Sequence, residues 1–139
     1  MPEGYSNADW LANANHAEGS YSPTQLFTAE DDIKTGAATV LTGQVMAVLT
    51  IVAFNAANKL VPWAPAAMDS TAKPVGVMAC DVNTGAANGG TNADTILPFY
   101  EGGCFNPDLL VWPAALDTYL ERNAALRAAN APFRVKRLL

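Results

Sequence analysis

The chain has 139 residues and a net charge of −5, so it is long enough for one domain with a sizeable core and too acidic to favour nucleic acid as a partner. Half of the residues are hydrophobic and 15% are charged, which is fewer than the roughly 25% of an average soluble domain. This composition fits a compact monomer, and it fits equally a subunit whose surface is partly covered by other copies.

Acidic and basic residues are separated along the chain. Residues 1–32 contain six acids and no Lys or Arg, whereas residues 122–139 contain five basic residues and no acid. We interpret the basic end as a solubilising, helix-end and subunit-contact feature. The acids are Glu3, Asp9, Glu18, Glu30, Asp31 and Asp32, and the basic residues are Arg122, Arg127, Arg134, Lys136 and Arg137.

The first 34 residues are predicted to form an extended arm, and residues 35–139 a β-rich domain. In the arm, small and polar residues dominate and no hydrophobic period is sustained. Its scattered aromatic residues are too many for an inert tail and indicate that the arm docks on something. The start of the chain is acidic and polar, without the basic and then apolar run of a signal peptide, so we expect a reducing cytoplasm.

Short apolar runs separated by turn residues begin at residue 37 and predict a mainly β domain. No charged residue occurs between Lys34 and Lys59, a length that could span a membrane. The apolar cores of this stretch are short and rich in β-branched residues, which favours buried strands instead. Strands are predicted at 37–41, 45–54, 59–64, 75–82, 95–100 and 109–112, with a Gly/Asn loop at 85–93.

One helix is predicted at about 117–130. Thr118 and Glu121 have the spacing of a capping box, and an alanine-rich segment follows them. Pro132 ends the helix, and PFRVKRLL can return as a final short strand. The fold class is therefore mainly β with a short C-terminal helix, α+β overall. The apolar stripe of the helix is predicted to be Leu116, Tyr119, Leu120 and Leu126.

Motifs of catalysis and metal binding are missing from the sequence. Neither a P-loop, GxSxG nor HExxH occurs, and Cys80 and Cys104 form no CxxC. The single histidine, His16, lies in the arm, where no rigid frame would hold a triad. We therefore expect no enzyme activity, cofactor or metal. Whether the two cysteines form a disulfide or remain buried thiols stays open.

Four segments occur in an order that resembles a known family. They are ATVLTGQVMAVLT at 38–50, KLVPWAP at 59–65, PVGVMACDV at 74–82 and TILPFYEGGCFNPDLLVWP at 95–113. In this order the chain is similar to the head decoration (capsid cement) proteins of tailed bacteriophages, the family of the phage lambda decoration protein. The resemblance implies a β-clip-like fold, in which a bent β-ribbon closes into a partial barrel.

The resemblance also implies a homotrimer on the outer surface of the expanded phage head, assembled in the host cytoplasm. It would sit at local threefold positions and stabilise the shell against packaged DNA, with the major capsid protein as its partner and neither nucleic acid nor a membrane. An extended arm can add a strand to a sheet edge of another protein, so we predict capsid contacts in the arm. The predicted arm contacts are Tyr21, Pro23, Leu26 and Phe27.

Large apolar residues in the resembling segments are predicted to bury either in the core or against a neighbouring subunit. Two other functions stay open: another trimeric virion module, such as a tail or fibre component, and a nucleotide-binding enzyme on a β-clip frame. The predicted framework residues are Trp63, Phe99, Phe105, Leu109, Trp112 and Pro113.

Overall fold

A ring of five strands forms the centre of the molecule in the computed structural model, which describes residues 25–29 and 31–137. In chain order the strands are β1 Lys34–Val40, β2 Val45–Met46, β3 Ile51–Phe54, β4 Leu60–Pro62, β5 Pro74–Met78, β6 Val82–Asn83, β7 Thr95–Gly102, β8 Cys104–Phe105 and β9 Arg134–Val135. The helix α1 is Tyr119–Ala128, and a 3-10 helix spans Ser70–Ala72. The predicted mainly β class with one short helix is confirmed.

The ring is a closed barrel in the order β1-β4-β3-β5-β7. Its longest seam is the antiparallel pair of β1 and β7, which runs from Thr35↔Tyr100 to Val40↔Thr95. A single parallel contact, Val40↔Leu60, links β1 to β4. Since alternate side chains of a strand point to opposite faces, Leu97 and Phe99 point into the barrel interior, while Ile96 and Pro98 face outward.

Two hydrophobic clusters share the central strands β3 and β5. Val52 and Met78 belong to the cluster inside the barrel, whereas Ile51 and Val77 belong to a second cluster outside it. The outer cluster is covered by α1 and β9, and it includes Phe105. Because both faces of β3 are covered, its sequence IVAF is apolar at every position instead of alternating.

Two of the predicted strands, 45–54 and 75–82, are each divided into two shorter strands at neighbouring positions in the sheet. The predicted strand 45–54 divides into β2 and β3 around Leu49, which has a φ of 69°. The predicted strand 75–82 likewise divides into β5 and β6. Since β3 pairs with β5 and β2 pairs with β6, the two segments turn together, and β2 and β6 form a separate two-stranded sheet.

The predicted strand 109–112 is wrong. Within it, Val111 makes one isolated bridge to Thr50, and no strand is formed. The turn that begins at Asn106 explains this, because Asp108 N donates to Asn106 Oδ1 at 3.1 Å and Trp112 Nε1 donates to the Pro107 carbonyl at 2.8 Å. These bonds curl the segment and prevent a regular ladder.

The helix begins and ends close to the predicted positions. Thr118 Oγ1 accepts from Glu121 N at 3.3 Å, which is one half of a capping box, and Glu121 Oε2 accepts from Asp117 N at 3.4 Å. The apolar stripe was predicted wrongly at Leu120, which is 78% exposed, whereas Leu126 is buried. Tyr119 and Leu126 lie about two turns apart on the packed side, and Leu120 is rotated by roughly 100° from Tyr119.

The uncharged segment between Lys34 and Lys59 forms β1, β2, β3 and their turns. In residues 25–29 and 31–137 no helix is long and apolar enough to cross a membrane. Cys80 and Cys104 are both free thiols, so they do not form the disulfide that the sequence left open.

Gly76 lets β5 approach β7 closely. A Cβ at this position would overlap the Tyr100 carbonyl oxygen and lie 2.6 Å from Phe99 Cδ2. Because a backbone carbonyl in a closed barrel cannot move alone, we expect Gly76→Ala to lower the free energy of unfolding by about 1–3 kcal/mol, the usual cost of overpacking.

Gly85→Ala is the matched control for this substitution. There the added Cβ would lie 3.7 Å from Asn83 Oδ1, an ordinary contact. Urea unfolding of both variants measures the difference. Equal stability of Gly76→Ala and Gly85→Ala would contradict the close approach of β5 and β7.

Candidate binding surfaces

Phe105 lies at the centre of an aromatic cluster that joins the two ends of the described chain. Its side chain is 0% exposed. Its ring centroid lies 5.3 Å from that of Phe27, 5.7 Å from that of Tyr100 and 5.7 Å from that of Phe133. Phe27 also packs edge-on against Tyr100 at 5.5 Å. These distances are typical of stabilising aromatic pairs.

Backbone hydrogen bonds hold residues 26–28, here called the arm strand, against β8. Thr28 N donates to the Cys104 carbonyl at 3.0 Å, and Asn106 N donates to the Leu26 carbonyl at 2.6 Å. On the other side of β8, Lys136 N of the chain end donates to the Phe105 carbonyl at 3.0 Å. The two-residue strand β8 therefore lies between a segment near the start of the chain and a segment near its end.

Gly103 permits the bend that places β8 in this position. Its φ of 139° is in the region that favours glycine. A Cβ there would lie 3.4 Å from Phe27 Cε1. Gly103 thus permits the change in backbone direction between β7 and β8 and the close approach of Phe27.

The predicted arm contacts divide between described and undescribed residues. Leu26 and Phe27 are half-buried and pack on the outer cluster of their own domain. Tyr21 and Pro23 lie outside the described residues, as does His16. A contact of any of these residues with a capsid stays a prediction.

The predicted framework residues occupy three different environments. Trp63 and Phe105 are buried in the outer cluster, and Phe99 is buried in the barrel interior. Leu109, Trp112 and Pro113 are half-buried.

Trp112 is fixed from two sides. Its ring centroid lies 6.4 Å from that of Trp63, and the Arg122 guanidinium lies 5.1 Å above its ring. Arg122 Nε also donates to the Leu116 carbonyl at 2.9 Å. Arg122 thereby links Trp112 to the segment that leads into α1. These contacts of Trp112 lie within one copy of the chain.

The side chains on the outer face of the β1–β7 seam are uncharged and, apart from the half-buried Thr39, exposed. Register places Ala37 beside Pro98 and Thr39 beside Ile96 on this face. The Ile96 side chain is 70% exposed. Five side chains, here called the seam face, make up this surface: Thr35, Ala37, Thr39, Ile96 and Pro98. Contiguous exposed apolar surface can mark a contact site, which makes this face a candidate.

Asp94 holds the end of the seam. Its carboxylate accepts hydrogen bonds from Lys59 Nζ and, at 2.9 Å, from Thr42 N. The hydrogen bond from Lys59, followed by that from Thr42, lowers the pKa of Asp94. A depressed folded-state pKa stabilises the fold above the carboxyl's unfolded pKa, and this contribution is lost as the pH falls through the folded value. The contacts join β4, the loop after β1 and the start of β7.

The two cysteines, Cys80 and Cys104, are free and lie in different environments. Burial, followed by the charge of Asp81, raises the pKa of the half-buried Cys80 thiol, which disfavours the nucleophilic thiolate. Cys104 is buried beside the arm strand, with Thr28 Oγ1 3.7 Å from its Sγ. Among residues 25–29 and 31–137, no group of three or more His, Cys, Asp or Glu side chains could hold a metal ion.

Sequence reasoning missed the three-stranded arrangement around β8. A two-residue strand is too short to produce a periodic signal. The apolar pair Cys104-Phe105 after two glycines was the available indication, and it could not identify the arm strand and β9 as partners, because these pairings join distant parts of the chain.

These features define a small β-barrel protein. The candidate functional regions among its described residues are the seam face and residues 26–28. A family model described as bacteriophage lambda head decoration protein D matches residues 15–132, and the chain therefore belongs to this family. No curated protein matches the chain. The resemblance stated from the sequence is confirmed, and the family indicates a structural protein associated with the phage head.

Phe27→Ala tests the attachment of the arm strand. The substitution removes contacts with Tyr100 and Phe105, and Phe27 is half-buried, so we expect the free energy of unfolding to fall by roughly 1–3 kcal/mol, below the 3–5 kcal/mol typical of a fully buried Phe. Ala29→Ser, at an exposed position of the same segment, is the control. Chemical unfolding measures both, and an unchanged stability of Phe27→Ala would mean that the arm strand is detached in solution.

Proposed function

We propose that this protein is a capsid decoration protein that binds the exterior of the expanded phage head as a homotrimer and stabilises the shell against the pressure of packaged DNA. The observation that carries the proposal is the family match over residues 15–132. The same match favours the head over a tail or fibre as the place of action. Local threefold positions on the head suit a trimer, because equal contacts can then be made by three copies.

The arm supplies the contact with the major capsid protein. Residues 26–28 already form backbone hydrogen bonds with β8, which supports strand addition as the chemistry of this segment. Leu26 and Phe27 would anchor the arm at its base, and Tyr21 and Pro23 would continue from there to the capsid. Because Leu26 and Phe27 are fixed on the domain, they would set the point from which the upstream residues extend towards the capsid.

The three arms of one trimer explain how individually modest contacts can give firm attachment to the head. Ordering an extended segment costs free energy, so a single arm binds modestly. Once one arm is bound, the other two act at a high effective concentration and rebind before the trimer leaves. A shell that offers the matching sheet edges after expansion would capture the trimer at that stage.

Self-association uses the seam face. Its five side chains carry no charge, and Ile96 is 70% exposed. A stable interface buries about 800 Å² per partner with an apolar centre, and the low charge content of 15% is consistent with a surface that is partly covered by other copies. The trimer would be assembled in the host cytoplasm before it meets the head.

No reaction and no cofactor are part of the proposed function. The family is structural, and clamping a shell requires binding surfaces alone. A nucleotide-binding enzyme on a similar frame would need carboxylates and a phosphate-binding loop, and no observation favours it. Nucleic acid and membrane are not proposed as partners.

Removal of residues 1–24 should abolish attachment without unfolding the domain. The truncation retains Leu26 and Phe27 and so preserves the contacts with β8. We expect the truncated protein to keep its melting temperature within a few degrees and to lose binding to expanded heads. Cosedimentation with expanded and unexpanded heads measures attachment, and the full chain is the control. Unchanged saturation of expanded heads by the truncated protein would refute the arm's role.

Ile96→Asp should dissociate the trimer. A carboxylate in the centre of an apolar interface would lose its hydration without gaining a partner. We expect a shift from trimer towards monomer in sedimentation at micromolar concentration. Met68→Asp is the matched control, since Met68 is fully exposed at 103% and lies outside the seam face.

The two possible contrary results have different meanings. A wild-type monomer at micromolar concentration would refute the trimer itself. A trimer that tolerates Ile96→Asp would refute the assignment of its interface to the seam face.

A further inference from the structure

A groove of about 870 Å³ lies between α1 and β9 and is not used by the proposed trimer or capsid contacts. Its apolar lining includes Leu126 and Phe133, which belong to the outer cluster. Ala29 and Asp31, from the segment that follows the arm strand, also line it. The groove is therefore continuous with the place where the start of the chain joins the domain.

The groove concentrates positive charge in a protein whose net charge is −5. Arg127, Arg134 and Lys136 line it, and all three are exposed. Within residues 25–29 and 31–137 the ion pairs are Lys59–Asp94 and Arg137–Asp108, which use none of these three cations. A groove with three cations and one described acid, Asp31, attracts a negatively charged ligand.

An extended peptide fits this groove better than a compact anion does. Arg134 N donates to the Gly103 carbonyl and Lys136 N donates to the Phe105 carbonyl, so by the alternation of a strand the N–H and C=O groups of Val135 face the other edge of β9. Among the described residues no hydrogen bond uses these groups. An incoming chain could pair with this edge while its carboxylates meet the two guanidinium groups, which bind carboxylates with good geometry.

The first 24 residues of the chain have the chemistry that the groove requires. They contain Glu3, Asp9 and Glu18 and no Lys or Arg. At about 3.3 Å per extended residue they are long enough to reach the groove of their own copy or of a neighbouring one. A nucleic acid is disfavoured, because the net charge of −5 repels a polyanion and three cations make a small footprint.

We propose that the groove between α1 and β9 binds the acidic first 24 residues of a copy of this chain. The free protein then holds its arm in the groove, and a capsid must compete with the groove for it. Exposed ion pairs are individually weak and are screened by salt, so residues 1–24 would dissociate easily from the groove. The groove thereby keeps the strand-forming arm from pairing with wrong sheet edges before a head is met.

Carbodiimide cross-linking of the full-length free protein tests this proposal without any phage head. The reagent joins a lysine amine directly to a carboxylate in contact with it, and the chain has four lysines, at 34, 59, 73 and 136. Lys59 should couple to Asp94, which verifies the reagent. Lys136 should couple to Glu3, Asp9 or Glu18, identified by peptide mass spectrometry, and the exposed Lys73 should do so at least severalfold less.

Two further samples complete the test. In Arg127→Gln/Arg134→Gln, which alters exposed side chains and retains Lys136, the yield of the Lys136 products should fall severalfold while that of Lys59–Asp94 stays unchanged. Mixing ¹⁵N-labelled with unlabelled protein before cross-linking distinguishes an arm of the same copy from an arm of a neighbour.

The proposal is overturned if Lys136 gives no product with residues 1–24 while Lys59–Asp94 forms, or if Lys73 reacts with these residues as well as Lys136 does. It is also overturned if the double variant retains the full yield. Because no head is present, each of these results leaves the proposed capsid binding untouched, and a failure to bind heads would leave the groove untouched.

Discussion

Burial of the Phe105 ring is the contact on which the two ends of the described chain depend. Phe27 reaches it from the arm strand, and Phe133 reaches it from the segment before β9. The backbone of the same short strand β8 binds both segments. The Phe105 ring and four backbone hydrogen bonds thus join residues 26–28 and residues 133–136 to the barrel.

The central strands of the barrel are buried, so the candidate binding surfaces lie outside them. The ring is closed by a single parallel contact between β1 and β4, Val40↔Leu60, and β3 and β5 are covered on both faces by the two clusters. Outside the ring, β2 pairs with β6, and β8 pairs with β9 and with residues 26–28. The proposed attachment to the head through the arm and the proposed self-association through the seam face would leave the centre of the barrel unchanged.

Residues 26–28 pack on their own domain, and the groove is the proposed binding site of the acidic residues 1–24 upstream of them. The chain belongs to the family of head decoration proteins, and the proposed function requires attachment to the head without earlier attachment to other proteins. An anchor at Phe27 that is already ordered would lower the entropic cost of binding, and the proposed weak contact of residues 1–24 with the groove would be displaced by a better partner.

The sequence by itself determined the class of fold, the helix and the family. Apolar runs, the capping box at Thr118 and the ordered motifs are local signals, and local chemistry is what a single chain displays. Tertiary structure alone decided the break at Leu49, the exposure of Leu120, the loss of a strand at 109–112 and the role of Phe105. Those features arise from contacts between residues far apart in the chain, such as Thr28 with Cys104, and the free energy of such contacts leaves no periodic trace in the order of residues.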